Sequence, residues 1–364
     1  MNRSPFLTPD MSRQRRAQAA RRRRIRRLTT AGVLLLALVV AAVIVALHNG
    51  SSSSAGHSAH ATTVSSRTGH TAVAKPALSP SGLALAKPAL ALPGLATPHS
   101  DPVHIAFQHP PRAALLFNLS TGQVLWQRNA LQRVPIASLT KMMTALLSVE
   151  STSADAPVLV TRQAVNADGS KVGVLPLGRH VRAQSMLYGL LLPSGNDAAD
   201  ALAQHVAGTV NRFVSRMNAR AAQLGLGCTR YSSPSGYYDQ GNFSCAADLA
   251  VLAHVDSEEP RIASVVRTYQ AVLPFPIKGG KLYLSNNNPL LIYGYPGVTG
   301  MKTGYTEAAG RCLVATAERH GVRLGVVILN SNAPGTQASQ LLNRAFHDVY
   351  HLPAVPQPPL PAGA

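Results

Sequence analysis

Hydropathy divides the 364-residue chain into blocks of different character. Residues 31–47 are Ala, Val, Leu, Ile and one Gly without a charge. This run predicts a membrane helix at the short end of the roughly 17–25 residues that span a bilayer at about 1.5 Å per residue, with Thr29, Thr30 and His48 extending it into the interfaces. From 49 to 103 the apolar residues show no period. Order returns after that. Alternation over 113–118 and 123–126, on either side of Ser120-Thr121-Gly122, predicts a hairpin. Apolar helices are expected over 142–149, 184–192 and 197–206, the second broken by Pro193. Val210, Phe213, Val214, Met217, Ala221 and Leu224 recur at helical spacing and stop at Gly225. Beyond about residue 268 the pattern is again that of strands, notably 311–318 and 322–330 paired across His320-Gly321, and a last helix is expected over 336–350. Strands at both ends with helices between them predict an α+β fold whose one sheet is completed by distant segments.

Composition agrees with one folded domain plus attachments: 46% of residues are hydrophobic and 13% charged. The net charge of +19 suggests nucleic acid until it is located. Ten arginines and one aspartate lie within residues 1–30, a net +9, while 104–350 carry 21 basic and 13 acidic residues thinly spread. An arginine cluster just before an apolar helix sets topology and meets anionic lipid, so no nucleic-acid partner is expected. The N-terminus should be cytoplasmic and the rest outside. A cleaved signal peptide is the rival reading, but the nearest small-x-small site, Ala59-His60-Ala61, is far downstream. The domain map is thus a cytoplasmic tail 1–30, an anchor 31–48, a Ser/Ala/Pro-rich linker 49–103, a catalytic domain 104–350 and a Pro-rich tail 351–364. The linker holds the near-repeats Ala74-Lys75-Pro76-Ala77-Leu78 and Ala86-Lys87-Pro88-Ala89-Leu90 and nothing expected to build a core. Its His57 and His60 lack preorganised neighbours and read as solvated.

Three short motifs carry candidate chemistry. Ser138-Leu139-Thr140-Lys141 sets a hydroxyl and an amine three apart, on one side of a helix. A serine attacks only once its proton is removed, and a lysine removes it only when neutral, a state favoured by desolvation and a second cation. Ser194-Gly195-Asn196 follows Pro193 and would by itself be a turn plus an N-cap. Lys302-Thr303-Gly304, reached through 297–301, would by itself be an edge-strand lysine. The three in this order match the signature of penicillin-interacting serine enzymes, with Gly195 where class A β-lactamases have Asp.

On these residues the chain resembles the serine-type D-alanyl-D-alanine carboxypeptidases, the low-molecular-mass penicillin-binding proteins, across 104–350. The segments 135–144, 190–198, 213–225, 246–250 and 300–310 are similar to family segments in family order. The resemblance implies a mostly antiparallel five-stranded sheet flanked by helices, an all-helical lobe, and an active site between them. It implies Ser138 as the nucleophile toward the penultimate D-alanine carbonyl, Lys141 as its base, and Ser194 as proton relay to the leaving amine. Asn196 would bind the acyl-chain amide and position Lys141. Lys302 would supply positive potential, Thr303 would meet the substrate carboxylate, and Gly304 would complete the substrate-binding strand. The Ser138 amide would be one oxyanion donor and a residue after Gly304 the other. The implied partners are peptidoglycan stem peptides and β-lactams, with the cytoplasmic membrane held by the N-terminal helix.

Some features depart from the family. Relatives often carry a basic residue in the loop before the last helix, but 330–340 contains none. Asn286-Asn287-Asn288 resembles the Asn-rich approach to the KTG strand, with a structural role equally open. Many members have a C-terminal β-rich domain and amphipathic helix; here the N-terminal helix is expected to anchor. The three cysteines, Cys228, Cys245 and Cys312, are an odd number for an oxidising compartment. Cys228 and Cys245 flank one Gly-rich loop and are a candidate bridge, and Cys312 reads as a small buried hydrophobe. With no CxxC, HExxH or GxSxG, no metal or organic cofactor is expected. The alternatives are a DD-endopeptidase, a β-lactamase, which would need a water-activating glutamate absent from 165–184, and a catalytically silent wall- or partner-binding homologue.

Overall fold

Strands from both ends of the folded region meet in one sheet. In the computed structural model, which describes residues 89–95, 101–357, 359 and 361, these are β1 (Ala113–Asn118), β2 (Val124–Arg128), β3 (Val298–Thr306), β4 (Gly310–Arg319) and β5 (Val322–Ser331). Their order is β2-β1-β5-β4-β3, every neighbouring pair antiparallel. The N-terminal tail, the apolar run 31–48, His57 and His60 lie outside the described residues.

Local chemistry fixes the turns. Asn118 Oδ1 accepts from the Ser120 and Thr121 amides at 2.9 and 3.0 Å, closing the β1–β2 hairpin. His320 and Gly321, at φ 50° and 78°, form the β4–β5 turn in the left-handed pair of conformations that suits the strand twist.

Alternation sends the side chains of each strand to two cores. Leu115, Phe117, Val314, Val327 and Leu329 face the helical lobe. That lobe contains α1 (Lys141–Ser151), α2 (Ala183–Leu191), α3 (Asn196–Ala207), α4 (Val210–Gln223), α5 (Ala246–Glu258) and α6 (Pro260–Val266). The other face, with Leu116, Leu313, Ala315, Val326 and Ile328, packs on α7 (Pro334–Arg344) and on Phe346 in the π turn Ala345–Val349 that follows it. In α4, Thr209 caps the start by accepting from the Arg212 amide at 3.2 Å, and Phe213, Met217 and Ala221 are its buried stripe.

Two expected boundaries are corrected. The end of the segment read as linker is part of the fold: Leu90 and Val103 are buried, and the Val103 amide donates to Leu125 O at 3.0 Å. A Cβ on Gly122 would fall 1.8 Å from Ala91 O, so the segment lies directly on the hairpin turn. Its Leu90, Leu92 and Leu95 are the apolar anchors, hidden by the Pro- and Ala-rich composition around them. The tail beginning at 351 also docks, through Ser339 Oγ to Gln357 Oε1 at 2.6 Å and Asn343 Nδ2 to Val355 O at 3.3 Å. Cys228 and Cys245 form a disulfide with Cα atoms 5.7 Å apart, while Cys312 is free and buried.

Candidate active site

The chain enters the site through Ala137, whose φ of 49° turns it into the 3-10 helix Ala137–Thr140. α1 begins only at Lys141. The Ser138–Lys141 pair therefore spans a tighter turn than the α-helix expected from sequence, and residues three apart are nearly eclipsed in such a turn. Lys141 Nζ lies 2.8 Å from Ser138 Oγ, 2.7 Å from Asn196 Oδ1 and 2.8 Å from Ser235 O. Its side chain is wholly buried. Burial, and then the charge of Lys302, hold the amine well below the ordinary lysine range; Asp200 and Asp197 oppose the shift. Gly236 closes over this turn at φ 70°, where a Cβ would be 2.0 Å from Ala137 O.

Pro193 ends the helical run after α2, and Ser194 takes the left-handed conformation at φ 66°. Ser194 is buried, yet its Oγ meets no hydrogen-bond partner among the described residues. At Gly195 a Cβ would sit 2.7 Å from Asp197 Oδ1 and 2.9 Å from Gly189 O, which explains the absence of a larger residue. Asn196 starts α3. Its amide donates to Ser170 O at 2.7 Å and its Nδ2 donates to Asp168 O. One of the two Nδ2 hydrogens expected for substrate is thus committed to the loop 166–173. Asp197 pins the same loop by accepting from the Val172 and Gly173 amides at 2.9 and 3.0 Å. Tyr238 Oη donates to Asp168 Oδ2 at 2.7 Å, joining that loop to the one that carries Ser235.

Lys302, Thr303 and Gly304 lie on β3, the edge strand beside Ser138. Lys302 is 1% exposed and donates to Thr303 O at 2.8 Å; burial pushes its amine down to about 7. A Cβ on Gly304 would lie 3.0 Å from both Ile136 O and Ser138 N, so glycine is what lets the edge come this close.

Ser138, Ser194, Thr303 and Gly304 line one cavity of about 330 Å³. The other three expected residues, Lys141, Asn196 and Lys302, are buried. Asn287, from the asparagine run, lines the cavity too, as do Ser170, Tyr305 and Arg311, which no sequence motif marks. Ser235 contributes a backbone carbonyl, which no side-chain motif announces. Arg311 was legible only through the hairpin that returns β4 along β3. Of the asparagine run, Asn286 bonds Val266 O and Thr268 O and Asn288 caps the Leu290 amide, so these two hold the backbone. Cys228, Cys245 and Asp248 bring potential metal-ligand atoms together, but the two sulfurs are bonded to each other.

The fold is that of DD-transpeptidases and D-alanyl-D-alanine carboxypeptidases of known structure. The crystal structure of a D-alanyl-D-alanine carboxypeptidase from Mycobacterium tuberculosis superposes with a TM-score of 0.62 at 31% identity, covering 72% of this chain and 98% of that one. The D-alanyl-D-alanine carboxypeptidase family model matches residues 99–333, and the chain belongs to this family. D-alanyl-D-alanine carboxypeptidase DacF of Bacillus subtilis is 34% identical over 246 residues, 65% of this chain and 62% of the relative. DacB2 of Mycobacterium tuberculosis is 36% identical over 222 residues, 60% of this chain and 75% of the relative. The chain thus spans less than two thirds of the Bacillus protein.

Proposed function

We propose that the protein is a serine D-alanyl-D-alanine carboxypeptidase that removes the terminal D-alanine of peptidoglycan stem pentapeptides through an acyl-enzyme on Ser138, and that β-lactams acylate the same serine. The observation that carries this is the environment of Lys141. A neutral amine has two N–H donors and one lone pair. Asn196 Oδ1 and Ser235 O are acceptors for the two hydrogens, so the lone pair is left for the Ser138 hydroxyl.

As Ser138 Oγ bonds to the penultimate D-alanine carbonyl, its proton passes to Lys141. The Ser138 amide and an amide of the edge strand β3 after Gly304 stabilise the oxyanion. Ser194 Oγ, without a hydrogen-bond partner among the described residues, then relays the proton to the amine of the departing D-alanine as the C–N bond breaks. Water hydrolyses the ester and regenerates Ser138. Lys302 keeps the potential positive, and Thr303 meets the substrate carboxylate.

The reading extends to placement: the run 31–48 would anchor the protein with its arginines in the cytoplasm and the enzyme outside, tethered by the linker. Charge and hydropathy of the sequence support this. Among the described residues no helix is long and apolar enough to cross a membrane. Deleting 31–48 should release the protein from carbonate-washed membranes; retention would rule out that anchor.

The test of activity is mass spectrometry of a synthetic stem pentapeptide and of a crosslinked muropeptide incubated with the full-length chain. Loss of one D-alanine, absent in Ser138→Ala, is the expected result. Scission of the crosslink alone would make the protein an endopeptidase, and no change in either substrate would overturn the assignment.

A further inference from the structure

The peptide proposed above ends in a free carboxylate, which a fixed cation would select. Lys302 is buried with its Nζ on Thr303 O, and its amine titrates at about 7. Lys141 is committed to Ser138, Asn196 and Ser235. The segment 330–340 contains no basic residue.

Arg311 lines the same cavity as Ser138 and Thr303. It sits on β4, opposite Tyr305 of β3, while Thr303 is opposite Leu313. Strand alternation puts Thr303, Tyr305, Arg311 and Leu313 on one face, with Thr303 and Arg311 as diagonal neighbours. Such neighbours lie about 7–8 Å apart, within reach of a long side chain. Arg311 is exposed, and among the described residues no carboxylate pairs with it. One Nη1 hydrogen goes to Asn332 O at 3.2 Å, which orients the guanidinium at the cavity rim and leaves its other N–H groups to fork around an anion.

We propose that Arg311, with Thr303, anchors the terminal carboxylate of the substrate. This rests on the carboxypeptidase reading and adds its specificity determinant: a permanent charge from the neighbouring strand, in a chain that lacks one before the last helix.

The test uses the full-length chain as wild type, Arg311→Ala and Arg311→Lys. Each is given an acyl-D-Ala-D-Ala peptide and an acyl-D-alanyl thioester whose leaving group carries no carboxylate. Arg311→Ala should lower kcat/KM for the peptide by about 30- to 100-fold, the size of a lost forked, charge-assisted contact, and leave the thioester within about 2-fold. Arg311→Lys should recover part of the loss. An equal fall on both substrates would make Arg311 a structural residue, and no fall on either would remove it from recognition; each overturns the proposal. Acylation by benzylpenicillin and by its methyl ester separates this from failure of the peptidase reading. If the wild type labels but cleaves no peptide, its preference for the free acid over the ester should still collapse in Arg311→Ala, and an unchanged preference would again overturn the proposal.

Discussion

Gly304 lies so close to the nucleophile that a methyl group on it would stand 3.0 Å from the Ser138 amide nitrogen. That amide is a proposed oxyanion donor, so Gly304→Ala must push the edge of β3 away from the turn it serves. Acylation by a fluorescent penicillin should slow by about 10²-fold, the usual effect of a displaced oxyanion contact, with a smaller change in melting temperature. Acylation at the wild-type rate would show that the oxyanion is held elsewhere.

Opposite shifts are expected from two charges near Lys141. The Lys302 cation lowers the Lys141 pKa and Asp200 raises it. Since the proposed base would act when neutral, Lys302→Met should move the rising limb of the acylation pH profile to higher pH, and Asp200→Asn should move it to lower pH. Burial raises Asp200 itself to about 6, so its influence fades as pH falls through that value. Parallel shifts in the two variants would refute the neutral-lysine mechanism.

Ser194 holds a left-handed conformation that costs a non-glycine residue of order 1 kcal/mol. Ser194→Gly should therefore raise stability by up to about 1 kcal/mol in denaturant titration while slowing penicillin acylation by about 10²- to 10⁴-fold through loss of the proposed proton relay. Ser194→Ala should lose the activity without the gain in stability. Wild-type acylation in either variant would exclude the relay.

Asp256 lies on α5, outside the residues that line the cavity. It is fully buried, neither carboxylate oxygen has a hydrogen-bond partner among the described residues, and burial holds its pKa well above the ordinary carboxylate range. The folded state then binds a proton that the unfolded state releases, so Asp256 costs stability increasingly as pH rises from about 4 through the folded-state value. Asp256→Asn should be more stable than wild type by about 1–3 kcal/mol at neutral pH, the difference closing near pH 4. Chemical denaturation across pH checks this, and a gap that does not change with pH would contradict it.

Much of this was legible in the sequence because it is written in side chains. His320-Gly321 announced the β4–β5 turn, the stripe from Phe213 to Ala221 announced α4, and the three motifs named seven residues that the fold brings to one place. What escaped depends on backbone or on register. The Ser235 carbonyl and the 3-10 turn at Ser138 have no periodic signature. Arg311 faces the cavity only because β4 returns in a register that sets it opposite Tyr305. Leu90, Leu92 and Leu95 are too few to overcome the composition around them, and only the hairpin they cover makes them part of a core.

The disulfide reaches further into the site than its position suggests. Cys228 and Cys245, 17 residues apart, tie off the two ends of the loop that supplies Ser235 O to Lys141 and Gly236 to the turn at Ala137. Closing a loop of that size removes about 3 kcal/mol of unfolded-chain entropy, which favours the folded arrangement in which Ser235 O meets Lys141. The bridge and the cage around the Lys141 amine are thus parts of one loop.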